Sequence, residues 1–394
     1  MALIDFKVLP GIDKQDTASG AEFRWVDCDN TRFRYGLPEK VGGWSSLVTD
    51  TIVGVARREF AFVDLDGNRY VAIGTDKFLL IYFEGQLYDI TPLKTTLTSA
   101  TLATTDTSAI CSITTGTNHD LSVGDIVLLD TVTLPVGTGY VDADFENKLF
   151  QVTSITSATV FTITQSTAAT ATVGTGGSLS VKPYEQVGPA EQSYGYGWGI
   201  DTWSSGKWGE AASASDVSLE PGLWSLSNFG QVLVATIANG KTFTWNAGDA
   251  ARLTTRASTA TSGFETTNNP TATRITLVSP TTRHLIHLGT ETTIGDPTTQ
   301  DDMFIRFSDQ EDINDYVPTA INSAGSQRLQ DGTRIMGALK AKESILVWTD
   351  NALYTMKFIG APFTFGFEQV GTNCGLIGKN AAIEIDGMAF WMSS

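Results

Sequence analysis

Helical periodicity is nearly absent from this 394-residue chain, and one short pattern returns in its place. REFAFVDLDGNRYVAIGTDKFLLIYFEGQLYDI (58–90) reads as four strands joined by turns at Asp66-Gly67-Asn68, Thr75-Asp76 and Glu84-Gly85. GQVLVATIANGKTFTWN (230–246) turns at Asn239-Gly240, ILVWTDNALYTMKF (345–358) at Thr349-Asp350-Asn351, and AIEIDGMAFWMSS (382–394) at Asp386-Gly387. Asn-Gly and Asp-Gly supply the positive φ angles that tight hairpins need. The strand before each turn is aliphatic and a following one carries an aromatic residue: Tyr82, Trp245, Tyr354 or Phe390. Successive meanders of this size predict an all-β chain with a β-propeller-like body, each blade a small twisted sheet. A single sandwich shows the same alternation, but residues 220–394 hold too many hairpins for one. Helical turns are expected only near 188–193 and 308–316.

The meanders are interrupted. Residues 95–183 are rich in Thr, Ser and Ala and contain the short strands AICSITT, DIVLLD, LFQVTSI and TVFTITQ. This segment reads as an inserted small β-barrel or sandwich, within the usual size of a domain; a low-complexity linker is the other reading. A Gly/Trp-rich connector, 184–222, follows. The division expected is therefore an N-terminal arm over 1–46, a first blade over 47–94, the inserted domain, the connector, and further blades over 223–394. The final hairpin stops within or just after its second strand. A propeller must close or leave unpaired edges, so either the N-terminal arm closes the ring or the natural polypeptide continues beyond Ser394.

Apolar content of 41% suffices for two or three cores, and charged content of 18% excludes a disordered tail-like chain. The formal charge is −17. Tight phosphate binding needs clustered Lys and Arg, so such a balance argues against a protein that wraps nucleic acid, but not against one past which DNA slides. Cys28, Cys111 and Cys374 are far apart and include no CxxC pair, so reduced, mostly buried thiols are expected, with neither disulfide framework nor zinc site. No signal peptide and no membrane anchor are legible.

The search for chemistry finds no enzyme, cofactor or metal site. His284 and His287 form His-x-x-His, but residues i and i+3 of a strand face opposite ways, and no third ligand stands at useful spacing. NGKT (239–242) lacks the earlier Gly and the following helix of a phosphate loop, and GYGWGI (195–200) lacks the third small residue and βαβ context of a dinucleotide fingerprint. The acidic stretch DPTTQDDMFIRFSDQEDINDYVP (296–318) lacks the alternation of a calcium loop and reads most simply as a solvated hairpin-linking loop. Carboxylates among 301–315 leave a glycan hydrolase as one alternative. Trp198, Trp203 and Trp208, with Tyr194 and Tyr196, are spaced by Gly and Ser. They suit a protein interface or a plug at the junction, or stacking platforms for sugars.

Several longer strings resemble one family in order: RWVDCDNTRFRYGLPEKVGGW (24–44), LYDITPL (87–93), NHDLSVGDIV (118–127), the Gly/Trp run, FIRFSDQEDINDYVPTAINSAGSQRL (304–329), ILVWTDNALYTMKFIGAPFTF (345–365), NCGLIGKNAA (373–382) and FWMSS. Together they resemble tailed-bacteriophage tail nozzle proteins, also called tail tubular protein B, and the related packaged-DNA stabilisation proteins. The usual His-Gly-Leu of that family stands here as His119-Asp120-Leu121, a mild departure because Asp tolerates a left-handed turn. Similar proteins run on past the Trp-Met segment. The resemblance implies a structural virion protein that forms a homohexameric ring below the portal and adaptor, retaining double-stranded DNA and conducting it during ejection. It also implies contacts with the head–tail connector and with tail fibres or spikes, and assembly in the host cytoplasm. A receptor- or glycan-binding tail propeller without ring assembly is the alternative.

In such a ring Arg32, Arg34, Lys40 and Trp44 form a docking arm. The cations meet a neighbour's acidic loops, Pro38 and the glycines fix an extended course, and Trp44 anchors it. The plainer alternative is an ordered strand packed along its own propeller. Trp198, Trp203 and Trp208 join the interface set, and Asp301, Asp302, Glu311 and Asp312 are the candidates to line the DNA passage.

Overall fold

In the computed structural model, the described residues are 8–393 apart from Ala18, Trp44, Leu47, Thr49 and the segments 192–219 and 259–268. Two compact units divide the chain, Met1–Thr49 and Asp50–Ser394. In the first, β1 (Leu9–Ile12) pairs in parallel with β2 (Arg24–Trp25), and β3 (Thr31–Arg34) pairs antiparallel with β4 (Leu37–Lys40). The extended course expected for RFRYGLPEK is thus a hairpin. Tyr35 and Gly36 both take positive φ, +52° and +80°, which is the backbone a two-residue turn requires.

The second unit is all-β, with the expected propeller-like body and an inserted barrel. Sheet I is a meander of β5 (Ala56–Val63), β6 (Arg69–Thr75), β7 (Leu79–Phe83) and β8 (Gln86–Asp89). Sheet II holds β15 (Trp224–Phe229), β16 (Val232–Ile237) and β17 (Thr242–Asn246). Sheet III follows with β18 (Thr273–Val278), β19 (Leu285–Thr290), β20 (Phe304–Phe307) and β21 (Gly325–Arg328). Sheet IV comprises β22 (Ile335–Lys340), β23 (Ile345–Thr349), β24 (Ala352–Gly360) and β25 (Thr364–Thr372), and sheet V the hairpin of β26 (Ala382–Ile385) and β27 (Met388–Trp391). The turns fall where the dipeptides place them: Glu84-Gly85 and Asp386-Gly387 each take two positive φ values, and Asn239 takes +59°. The helical turns expected near 308–316 do not form there. The apolar residues Ile313 and Tyr316 are too few to make a stripe, and the segment instead folds as successive turns.

Each sheet shares a core with the next. Phe62, Tyr70 and Phe83 of sheet I meet Trp224, Leu233 and Trp245 of sheet II. Val234 of sheet II meets Val278 and Leu285 of sheet III. Ile286, Leu288 and Phe307 of sheet III meet Val347, Tyr354 and Phe365 of sheet IV. Trp348 and Leu353 pack with Leu376 and Ala382 before and within sheet V. Full burial of side chains of this kind stabilises by about 1.5–3 kcal/mol each, so the interfaces between blades, rather than single hairpins, hold the body together. Sheets I and II approach so closely that a Cβ at Gly74 would lie 2.6 Å from Cδ1 of Trp224, whose indole nitrogen donates to the Thr75 carbonyl at 2.9 Å.

The barrel closes in the order β10-β13-β12-β11-β14-β9. Its strands are β9 (Leu97–Thr104), β10 (Ile110–Thr114), β11 (Ile126–Thr133), β12 (Lys148–Ser157), β13 (Val160–Thr164) and β14 (Val173–Pro183). It has its own core around Leu102, Ile113, Val127, Phe145, Phe161 and Val181. Its entry and exit are paired: Lys94 N donates to Pro183 O at 2.8 Å and Glu185 N to Pro92 O at 2.9 Å.

Candidate functional site

The first strands of the sheets converge. Arg58 and Phe60 of β5, Trp224 to Leu226 of β15, Ile275 to Leu277 of β18, Ala338 to Lys340 of β22, and Lys379 and Asn380 before β26 line one axial cavity of about 220 Å³. Three hydrogen bonds cross it from blade to blade. Arg58 Nη1 donates to Asn380 Oδ1 at 3.1 Å, Lys340 Nζ to Ser227 Oγ at 2.8 Å, and Lys379 Nζ to the Arg274 carbonyl at 3.4 Å. All three acceptors are uncharged. Burial, with Arg58 adding to it, pulls the Lys340 ammonium down to about 8. Burial, then Arg58 and Arg274, takes Lys379 to about 7, against the pull of Glu220. Desolvation lowers Arg58 as well. Glu220 is engaged elsewhere, by Arg274 at 3.1 Å and by Arg334 at 2.5 Å.

The acidic stretch is a braced loop on sheet III. Asp301 and Asp302 precede β20 whereas Glu311 and Asp312 follow it, so the fold sets the two pairs at opposite ends of one strand. Asp301 pairs with Arg328 at 2.6 Å and Asp302 with Arg274 at 3.3 Å. The Arg328 hydrogen bond and the Met303 amide bring the Asp301 carboxyl below its usual range, outweighing its desolvation. Glu311, at φ +60°, lies 3.7 Å from Arg283; Asp312 is exposed and accepts the Asn314 amide at 2.8 Å. Beneath them Asp309 accepts the Ser323 amide at 2.7 Å, and Asn322 donates to Asp315 and to the Val317 carbonyl, both at 2.8 Å. Tyr316 is buried and its hydroxyl meets His287 Nε2 at 3.0 Å.

All three histidines are buried in hydrogen-bond networks of this kind. His287 also meets Thr273 at 3.0 Å, His284 bridges Thr282 at 2.7 Å and Ser323 at 3.0 Å, and His119 accepts the Leu121 amide at 3.0 Å beside the Ser157 carbonyl. Asp120 takes φ +48°. Cys111 is buried while Cys28 and Cys374 are half-buried, all as free thiols. Among the described residues no cluster of His, Cys, Asp and Glu is arranged to hold a metal, and no helix is long and apolar enough to cross a membrane.

In the N-terminal unit the three cations sit on one hairpin. Arg32 is paired across the strands with Glu39 at 3.1 Å, Arg34 lies over the Tyr35 ring at 5.4 Å, and Lys40 ends β4. Arg32 therefore already has an acidic partner within the hairpin. Trp44, Trp198, Trp203 and Trp208 lie outside the described residues. The cations Arg58, Lys340 and Lys379 escaped sequence reasoning. They are spread over more than three hundred positions in unrelated strings, and only the packing of the sheets brings them together.

No family model matches the chain, and no curated protein matches it. Among solved structures it is similar to phage phi92 endosialidase, at 14% identity and a TM-score of 0.24, covering 78% of this chain and 48% of that one. The chain thus spans about half the length of that protein, and a match this loose carries no argument about activity.

Proposed function

We propose that the chain is a structural protein of a bacteriophage tail, which assembles as a ring below the portal and adaptor and retains and conducts double-stranded DNA. The supporting observation is where the family-like strings fall. FIRFSDQEDINDYVPTAINSAGSQRL supplies β20, the braced loop and β21, and ILVWTDNALYTMKF supplies the β23–β24 hairpin. These strings spell scaffold, and the loop they build holds the carboxylates of Glu311 and Asp312 at an exposed, fixed position. A carboxylate on a rigid support repels phosphate without having to be ordered first. The barrel, with its own core and paired entry and exit, is a second rigid body suited to contact a neighbouring tail protein.

Native mass measurement and particle imaging test this reading. A sixfold ring with a lumen wide enough for duplex DNA is the expected result. A monomer, or a trimer that binds or cleaves host polysaccharide, overturns it.

A further inference from the structure

We propose that the axial cavity of the propeller-like body is a binding site for a small, multiply charged oxyanion of the inorganic phosphate or sulfate class, which bridges the blades. Three observations carry this. First, Arg58, Lys340 and Lys379 come from three different blades to one cavity, and no carboxylate lines it. Glu220, whose charge acts on Lys379, is already held by Arg274 and Arg334. Among the described residues none of the three cations has an ion pair. Second, Ser225 lines the same cavity, is only 4% exposed, and its Oγ has no hydrogen-bond partner. Buried hydroxyls are almost always satisfied, and this one adds a donor to those of the three cations. Third, the size suits a small ligand. At about 220 Å³ the cavity falls below the range of roughly 300–1,000 Å³ usual for larger organic ligands. It still has room for roughly seven waters at ~30 Å³ each, enough for a tetrahedral oxyanion with part of its hydration.

The chemistry follows from the spacing of the elements. Arg58 offers a planar fork, the two lysines offer point charges, and Asn380 and Ser225 offer neutral donors, so an oxyanion would tie sheets I, II and IV and the lead-in to sheet V to one centre. The groups facing it from every packed element are Arg58, Ser225, Thr276, Lys340, Lys379 and Asn380, with Arg274 and Glu220 behind Lys379. Without the anion, two lysines crowded by an arginine shed protons more easily. Binding at pH 8 therefore takes up protons, which superficial adsorption would not do. The site is built by one chain, with Arg58 and Asn380 exposed at its edge, and is independent of ring assembly.

The full chain, exchanged into chloride buffer, is titrated with inorganic phosphate and with sulfate at matched ionic strength. Melting temperature and calorimetric heat are followed, the latter in buffers of different ionisation enthalpy. The expected result is saturable stabilisation beyond chloride, with net proton uptake at pH 8. The Lys340→Met/Lys379→Met double variant should weaken the apparent Kd at least about tenfold, while melting no lower than wild type in chloride. Ser225→Ala, a milder change, should also weaken binding without lowering the melting temperature in chloride. A response no greater than chloride gives, an equal response in the double variant, or binding of a short DNA duplex in competition with phosphate would each overturn the proposal.

Discussion

The inserted barrel is clamped to the propeller-like body by three side chains whose energetic coupling is measurable. Arg256 Nη1 donates to Asp89 Oδ2 at 2.9 Å and to the Thr91 carbonyl at 3.0 Å, its Nη2 reaches the Tyr184 hydroxyl at 2.6 Å, and that hydroxyl donates to Asp89 Oδ2 at 2.6 Å. The guanidinium also stacks 4.8 Å from the Tyr184 ring centre. Tyr184 follows the last barrel strand, Asp89 ends β8 and Arg256 follows β17, so the triad joins barrel, sheet I and sheet II. At 2.9 Å the Coulomb attraction is about 6 kcal/mol at an effective dielectric near 20 and about 1.4 kcal/mol in bulk water. The two side chains are 26% and 28% exposed, so desolvation and screening each remove part of that sum. A coupling of about 1–3 kcal/mol is expected from a double-mutant cycle of Asp89→Asn and Arg256→Met. Urea unfolding followed by tryptophan fluorescence reads the chain outside the barrel, because all nine tryptophans lie outside 97–183. Hydrogen exchange of 97–183 reads the barrel. A coupling under about 0.3 kcal/mol, with barrel exchange unchanged in both single variants, would refute the clamp.

Other outcomes follow from the same geometry. Trp245→Ala should cost about 3–5 kcal/mol in urea unfolding, because the side chain is 1% exposed and fills the interface between sheets I and II against Phe62 and Tyr70. Gly74→Ala should cost about 1–3 kcal/mol through overpacking against Trp224, and Trp224→Leu should relieve part of it in the double variant. His287, buried with Arg306 near it, is held down at about 3. The unfolded chain therefore binds the proton first, and stability falls as pH drops from about 6.5 to about 3, at up to ~1.4 kcal/mol per pH unit for this group. His287→Gln should remove that slope from acid titrations monitored by circular dichroism. For Lys340 and Lys379 the folded values lie below the unfolded ones, so in oxyanion-free buffer their contribution to stability rises from about pH 7 to pH 10. Lys379→Met should flatten that rise in melting curves.

Much of the architecture could be read from local chemistry. Asp386-Gly387 and Glu84-Gly85 fix their hairpins because few other dipeptides tolerate two consecutive positive φ angles, and β-branched runs between such turns leave little choice but strands. The same locality explains what was misjudged. RFRYGLPEK reads as extended when Pro38 is weighed alone, yet Tyr35-Gly36 folds it back, and Arg32 finds Glu39 seven residues away. The acidic stretch reads as a solvated loop, and the fold adds that β20 runs through its middle, with Asp301 and Asp302 before the strand and Glu311 and Asp312 after it.

What the sequence alone determined is the all-β class, the hairpins and the interruption by a separate β domain, because strand alternation and turn backbone angles are properties of neighbouring residues. Only the tertiary structure decided that strands of four sheets and the lead-in to the fifth meet, that Arg58, Ser225, Lys340 and Lys379 face one cavity, and that Arg256 ties the barrel to the body. Those juxtapositions join positions up to 322 residues apart. They arise from packing between blades, and no pattern of adjacent residues records them.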